Sequence, residues 1–435
     1  MHVEVRLAGR CDQAAFRAAV LAVLAAQPRA RVRRAAASSW QRSSRWEYPP
    51  VPDADPVRAA SWADEADLAG QRAAFLSESP DLDRSPPVRF LLAAGPDSDR
   101  VILNAHHAVL DGLSCLGLLR AVARQYNGLG GGPTSEDRPV RADRSNDRTA
   151  DRGDGRPDGW ADGLAGRPDG WADGLADDLA AIRARPRVGP IARIARRPDP
   201  AVSGPRPGYG ACLLTWDGMP AAAGILRPLG GSVNDLLIAA MMITIGRWND
   251  SNGRRAGRIR ITMPVGNRIL ESADGAWGNG SRLTAVTARV PARVGIGDLI
   301  SEVARQTGYA KAHPGPQVDL PSRALAAAPV PVAAKRRLLA AALRVAGPLF
   351  CDTSLVSNLG IVDPLRFGPE PAHGIWFSTS AHMPRGLSLG AVTVGARLGL
   401  TFRYRRELLA DAAAADFAGL YLDVLSGFAG PETAR

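Results

Sequence analysis

Hydrophobic positions alternate with polar ones over residues 2–8, the period of a half-buried strand. Gly9 to Cys11 turn the chain. Asp12 is placed to cap a helix running through Gln27, with Phe16, Val20, Val23 and Leu24 on one side and Pro28 as its stop. Residues 88–94 are largely apolar, Gly95-Pro96-Asp97 reads as a turn, and Val101 to Asn104 as the returning strand of a hairpin. A helix is predicted from Leu113 to Tyr126, with Leu113, Leu116, Leu119 and Val122 near one face. Beyond residue 127 the periodicity stops and Gly, Pro, Asp and Arg take over. Order returns near Cys212. Asn234 to Trp248 reads as a strongly apolar helix capped by Ser232 or Asn234. Arg258 to Met263 and Thr353 to Ser357 read as strands. From Val392 to Tyr404 the apolar positions Val392, Val394, Ala396, Leu398, Leu400, Phe402 and Tyr404 share one phase, and Gly395 and Gly399 suggest a hairpin inside that stretch. Asp411 is placed to cap a last helix, with Phe417, Leu420, Val424 and Phe428 at helical spacing.

Strands and helices thus mix in both halves, around a joint of different character. The expectation is an α/β (α+β) chain of two lobes: residues 1–127, a flexible linker over 128–205, and residues 206–435. Within the joint, Gly155–Ala165 (GRPDGWADGLA) is repeated without change as Gly166–Ala176. Two copies are too few for a solenoid, which needs several stacked units, so a tandem duplication in a linker is the reading.

The chain has 435 residues, 46% of them hydrophobic and 22% charged, the balance of a globular protein with material for a large core. Its formal charge of +11 comes from 54 basic and 43 acidic residues. Only Lys311 and Lys335 are lysines, the arginines are scattered, and acidic residues are interleaved with them, so no nucleic-acid partner is expected. Cys11, Cys115, Cys212 and Cys351 are far apart and form no CxxC pair, which argues against a thiolate metal site and for buried free thiols in a cytoplasmic protein. There is no apolar signal core at the N-terminus, and no apolar run long enough to span a membrane.

Six histidines occur in the chain, and two of them are adjacent. His106-His107 is followed by Ala108-Val109-Leu110 and then Asp111-Gly112, where a predicted strand hands over to a predicted helix. In a chain of this composition the pattern HHxxxDG arises by chance about once in a thousand. A histidine titrates near neutrality, so it can take a proton from an alcohol or amine as that group attacks an acyl carbon. Asp111 is too close in sequence to be presumed a triad partner; pairing with an arginine to hold the loop is the other reading. Gly112 permits close approach, and its N–H is a candidate oxyanion donor. No nucleophile elbow is read around any serine, and no histidine stands beside a cysteine, so no acyl-enzyme is expected. Hydrogen-bonded core histidines and a plain Asp-Gly turn remain the bland alternative.

Asn104 to Gly112 resembles the signature of the HHxxxDG acyltransferase superfamily, which holds chloramphenicol acetyltransferase, condensation domains, polyketide-associated acyltransferases and wax ester synthase/diacylglycerol acyltransferases. Leu7 to Arg33, Ser85 to Phe90, Ser232 to Leu237, Met263 to Arg268, Gly278-Asn279 and Val356 to Gly360 resemble further segments, in order. The resemblance implies two chloramphenicol-acetyltransferase-like lobes in a V-shaped pseudodimer, monomeric, with no bound cofactor. It makes His107 the general base, with Gly112 in the motif. His106 and Asp111 become structural, the latter paired to Arg268. Asn234, Ser357 and Asn358 would line the channel between lobes. The reaction implied is acyl transfer from acyl-CoA or a phosphopantetheinyl carrier protein to a hydroxyl or amine, without a metal. A natural-product tailoring step is favoured over wax ester or triacylglycerol synthesis, because the N-terminal segment of wax synthases and a membrane-seeking helix are not seen. The early SxxQ motif of condensation domains is also missing, and a non-catalytic binding module is the alternative of another class.

Overall fold

The computed structural model describes residues 1–36, 40–41, 44–129, 191–198, 208–254, 257–266, 278–279, 281–290, 295–313, 328–335, 337–338, 341 and 351–429. The 155–176 repeat and Arg268 lie outside the described residues.

The first half runs β1 (His2–Arg6), α1 (Gln13–Ala26), a short ribbon of β2 (Arg33–Arg34) and β3 (Trp46–Glu47), β4 (Val57–Ser61), α2 (Glu65–Ser77), the hairpin β5 (Val88–Ala94) and β6 (Arg100–Ala105), and α3 (Gly112–Leu129). The second runs β7 (Tyr209–Trp216), α4 (Met219–Leu226), α5 (Val233–Ser251), β8 (Arg258–Gly266), β9 (Ser281–Arg289), α6 (Ile296–Ala312), β10 (Ser354–Val362), β11 (Gly374–Ser378), β12 (Leu387–Val394), β13 (Arg397–Arg405) and α7 (Asp411–Ala429). Local chemistry sets several of these boundaries. The Asp12 carboxylate accepts from Ala15 N at 2.7 Å at the start of α1, and Pro28 follows its end. Ser232 and Asp235 form a reciprocal capping box on α5.

Two sheets result. One has the order β11-β1-β6-β5-β4, the other β7-β13-β12-β10-β8-β9. The first buries one face against α1 and α3 through Val3, Val5, Phe16, Phe90, Leu103 and Leu119. Its other face meets α2 through Leu68, Phe75, Leu91 and Ile102. The second sheet packs on α5 and α7, and Leu236 to Met242 of α5 are buried all round. Each sheet with its helices makes one half of the expected α/β pseudodimer.

The halves are not separate along the chain. Strand β11 comes from the second half yet pairs with β1, His2 opposite Ser378 and Val5 opposite Ile375. On the way it crosses β12 and β13 at contact distance. A Cβ on Gly390 would sit 2.7 Å from the Phe377 carbonyl carbon and 2.8 Å from Ser378 Cα, and one on Gly399 would strike the Ile375 carbonyl. Glycine is therefore required where the backbones touch. Gly390→Ala is expected to lower the unfolding free energy by about 3 kcal/mol, read from the denaturant midpoint, because backbone rather than a flexible side chain must move.

Two sequence expectations change here. The hairpin within 392–404 turns at Gly395 (φ +59°), whereas Gly399 serves the crossing. The two-residue turn also inverts the phase: Thr393 faces Leu398, and Ala391 faces Leu400. Leu398, Leu400, Phe402 and Tyr404 point into the second core, while Val392 and Val394 pack against the first. Residues 191–198, expected in the linker, are packed on α5. Ala195 N donates to Asn249 Oδ1 at 2.7 Å, Trp248 Nε1 donates to Ala195 O at 3.0 Å, and Ile194 is buried.

The face of β1 opposite Val3 and Val5 is charged and enclosed. His2 and Glu4 are buried there, and the Arg72 guanidinium of α2 grips both Glu4 carboxylate oxygens at 2.5 and 2.7 Å. Burial alone would raise the Glu4 carboxyl; Arg72 and His2 outweigh it and hold it at about 2.

Candidate active site

Strand β6 ends at Ala105, and the chain enters the His106–Asp111 loop. His106 N donates to Pro87 O at 2.9 Å. Val109 N and Leu110 N both turn back to His106 O, at 3.0 and 3.3 Å, and the buried Val109 and Leu110 side chains anchor this turn. The His106 ring accepts Ala108 N on Nδ1 at 3.1 Å, which assigns the neutral proton to Nε2. Burial lowers the His106 pKa. His106 is therefore engaged by its own loop. Asp111 closes the loop by capping α3: its Oδ1 accepts Ser114 N at 2.9 Å and its carbonyl accepts Cys115 N at 3.0 Å.

The second half reaches this loop through Gly278 and Asn279. Gly278 O accepts Asp111 N at 3.2 Å and Ser114 Oγ at 2.8 Å. Asn279 Nδ2 donates to His107 O at 3.0 Å. Gly112 meets the second half too. A Cβ there would lie 2.6 Å from Leu359 Cδ2 and 2.8 Å from the Phe377 ring, so the glycine lets the first turn of α3 press onto β10 and β11. Both chemical halves of the motif, the histidines and the Asp-Gly pair, thus sit where the two halves of the chain join.

The His107 ring is part-buried, and its Nδ1 is enclosed with no hydrogen-bond partner among the described residues. Burial lowers its pKa below the ordinary 6.5. The Met1 ammonium pushes the same way, and the Leu110 backbone and Asp111 carboxylate pull against them. The lowered pKa favours the unprotonated ring, the state a base requires.

Ser357 and Asn358 lie on β10, immediately before Leu359, which covers Gly112. Ser357 is buried opposite Gly390, under the β11 crossing, and Asn358 Oδ1 accepts Gly360 N at 2.9 Å in an irregular turn of the strand. These two are therefore next to the join. Asn234 sits in the first turn of α5, with Nδ2 3.3 Å from Met263 Sδ on β8. It is tied to the strand that leads toward Gly278 and Asn279, not to the motif itself.

Serine and cysteine chemistry needs one correction. Gly386-Leu387-Ser388-Leu389-Gly390 is a GxSxG sequence that the reading for nucleophile elbows passed over. The structure places Ser388 inside β12, fully buried, with Oγ donating to Thr379 O at 3.2 Å. A nucleophile elbow needs a strand-to-helix turn that exposes the hydroxyl, which a mid-strand serine lacks. Cys11 and Cys115 are buried as expected, but Cys212 and Cys351 are only part-buried, because Cys212 stands on the edge strand β7. Burial raises the thiols of Cys11 and Cys115 to about 12 and that of Cys212 to about 11, so none of the three is a ready nucleophile.

Sequence reasoning had no role for Ser114, although it stands three residues after the capping Asp111, and none for His382 in the loop after β11. The position of Gly278-Asn279 was legible only through the resemblance. No helix among the described residues is long and apolar enough to cross a membrane.

No family model matches the chain. Over 435 residues it is 31% identical to the uncharacterized protein Rv2305 of Mycobacterium tuberculosis (strain ATCC 25618 / H37Rv), covering 98% of this chain and 94% of that one. The first condensation domain of the CDA synthetase superposes with a TM-score of 0.64 at 15% identity, over 100% of this chain and 91% of that one. The epimerization domain from the third module of tyrocidine synthetase B does so with a TM-score of 0.59 at 16% identity, over 99% and 91%. The expected two-lobed fold is therefore present, and the chain belongs to the family of the mycobacterial protein Rv2305, built on the fold of condensation domains.

Proposed function

We propose that this chain is an acyltransferase that moves an acyl group from a thioester to a hydroxyl or amine, in a tailoring or condensation step of natural-product biosynthesis. The observation that carries the reading is the part-buried His107 in a loop gripped by both halves of the chain. The condensation-domain fold supports the substrate class. In this reading the acyl donor is acyl-CoA or an acyl group on a phosphopantetheinyl carrier protein, arriving as co-substrate, and the enzyme acts as a monomer.

His107 takes the proton of the acceptor as its oxygen or nitrogen lone pair attacks the thioester carbonyl. The C–S bond of the tetrahedral adduct then breaks, and the imidazolium returns the proton to the departing thiolate, so atoms and charge balance. Because the thioester is already activated, the protein's part is to supply a base, orientation and electrostatic stabilisation. Gly112, first residue of α3, is assigned to the developing oxyanion, which the N-terminal end of a helix favours. His106 and Asp111 hold the loop. Arg268 is assigned as the arginine that pairs with Asp111, and Asn234, Ser357 and Asn358 to the walls of the channel.

The test is thiol release from a panel of CoA-bound and carrier-bound acyl groups with mixed alcohol and amine acceptors, with products identified by mass. A new ester or amide made with thiol release in equal amount supports the reading. Products confined to wax esters or triacylglycerols would move it to lipid synthesis. Binding of acyl-thioesters with no turnover on any acceptor would replace it with a binding module. The pH profile is a second expectation. A base whose pKa is lowered is active above that pKa, so kcat/KM should rise through an apparent pKa below 6.5 and be flat from there through neutrality. A rise centred above 6.5 would contradict the role given to His107.

A further inference from the structure

A second group of titratable and cationic side chains stands beside the histidine motif, and the first sheet fixes its location. Strand β1 is antiparallel to both β6 and β11, so β6 and β11 run the same way and end together: His2 faces Asn104 on one side and Ser378 on the other. The chain leaves β6 into His106 and His107, and leaves β11 into the 379–386 loop that carries His382 and Arg385. These exits are two strands apart, about 10 Å.

In that loop His382 Nδ1 lies 3.1 Å from the Tyr209 hydroxyl, with the two rings edge to face. The guanidinium carbons of Arg403 and Arg405 lie 4.3 and 4.7 Å from the centre of the Tyr209 ring. Arg385 Nη2 donates to Thr262 Oγ1 at 3.3 Å. Few carboxylates answer these charges. Glu407 lies 3.6 Å from Arg405 Nε, and Asp352 is taken by Arg260 and Thr262. Arg403 is 5% exposed, and its hydrogen bond is to a neutral acceptor, Leu76 O, at 2.8 Å. The Nε atoms of Arg385, Arg403 and Arg405 are all buried without a hydrogen-bond partner among the described residues.

Burying a guanidinium is costly unless an anion or a full set of acceptors repays it. The face of one tyrosine shared by two arginines repays only part. We propose that Tyr209, His382, Arg385, Arg403 and Arg405 form a subsite for an oxyanion, a carboxylate or phosphate group carried by a small-molecule substrate within reach of His107. A guanidinium fork matches the geometry of either group. Arg385 and His382, on the loop side of the cluster, make contact, Arg405 adds charge at the rim, and Arg403 sits behind as a fixed buried cation. Partial desolvation and the three arginines lower the His382 pKa, which favours a neutral ring that adds hydrogen bonding without further charge. The inference deepens the acyltransferase reading by naming a feature of its substrate, and rests on that reading only for the word substrate.

The test uses the full-length protein with inorganic phosphate and succinate as separate probes, by titration calorimetry and by the His382 imidazole resonances. The wild type should bind one probe saturably and shift those resonances. Saturation by phosphate alone assigns a phosphate-bearing substrate, and by succinate alone a carboxylate. Arg385→Gln should weaken binding at least tenfold, with Arg405→Gln as the second variant should the first not fold. Arg397→Gln, which removes an exposed charge elsewhere, and His107→Ala should bind as the wild type does. Retention of binding in His107→Ala separates this site from the catalytic reading, since that variant tests only the latter. Failure of both probes to saturate, or equal weakening by Arg397→Gln, would overturn the proposal.

Discussion

Arg72→Met should lower the unfolding free energy by about 3–5 kcal/mol, the cost of leaving a buried carboxylate without its cation. Glu4 is 1% exposed on the inner face of β1, and Arg72 supplies two short hydrogen bonds from α2. The loss arises from the stranded charge more than from the pair itself. The double variant Glu4→Leu with Arg72→Met removes both charges, and should therefore recover most of the stability lost in the single one. A denaturant-based double-mutant cycle checks this. The same pair sets an acid limit. Glu4 has a folded pKa of about 2 against an ordinary 4.5. Its stabilisation is therefore full above about 4.5 and is lost as pH falls from there through 2. In Arg72→Met that acid-labile component should be missing.

His107→Ala carries the largest expected effect on activity, a fall in kcat of about 10²–10⁴, the range for loss of a positioned general base. KM for the thioester should change little, because the base acts on the acceptor's proton as the transition state forms. His106→Ala is different in kind. It removes the acceptor that holds Ala108 N, and should loosen the loop, moving stability and kcat together. A His107 variant that keeps its midpoint of unfolding but loses turnover would separate chemistry from loop order.

What the sequence made legible was local. The cap at Asp12, a cap at Ser232 or Asn234 (Ser232 in the structure), the β5–β6 hairpin and the strand-to-helix setting of the histidines are each written within a few residues, and each is present. What stayed hidden depends on partners far apart. No pattern in residues 374–378 announces that they pair with residues 2–6, and the glycines that permit the crossing look like turn residues. A single two-residue turn at Gly395 inverts the facing of Val392 and Val394, which continuous alternation concealed. Helix α2 escaped notice because its buried residues Leu68, Phe75 and Leu76 are diluted by alanine and Gly70. In the site, the histidines and Asp111 could be read directly. The bond from Asn279 to His107 spans 172 positions, and the grouping of Tyr209 and Arg403 with His382 brings strands β7 and β13 of the second sheet against the loop that leaves β11 of the first.

The central claim is that His107 removes the acceptor's proton in a thioester-dependent acyl transfer. The most direct measurement compares wild type and His107→Ala, matched for unfolding midpoint, in thiol release and product formation with the best donor and acceptor of the panel. Loss of both by about 10² or more, with thioester binding retained, is the predicted result. Equal rates of product formation in the two proteins would contradict it.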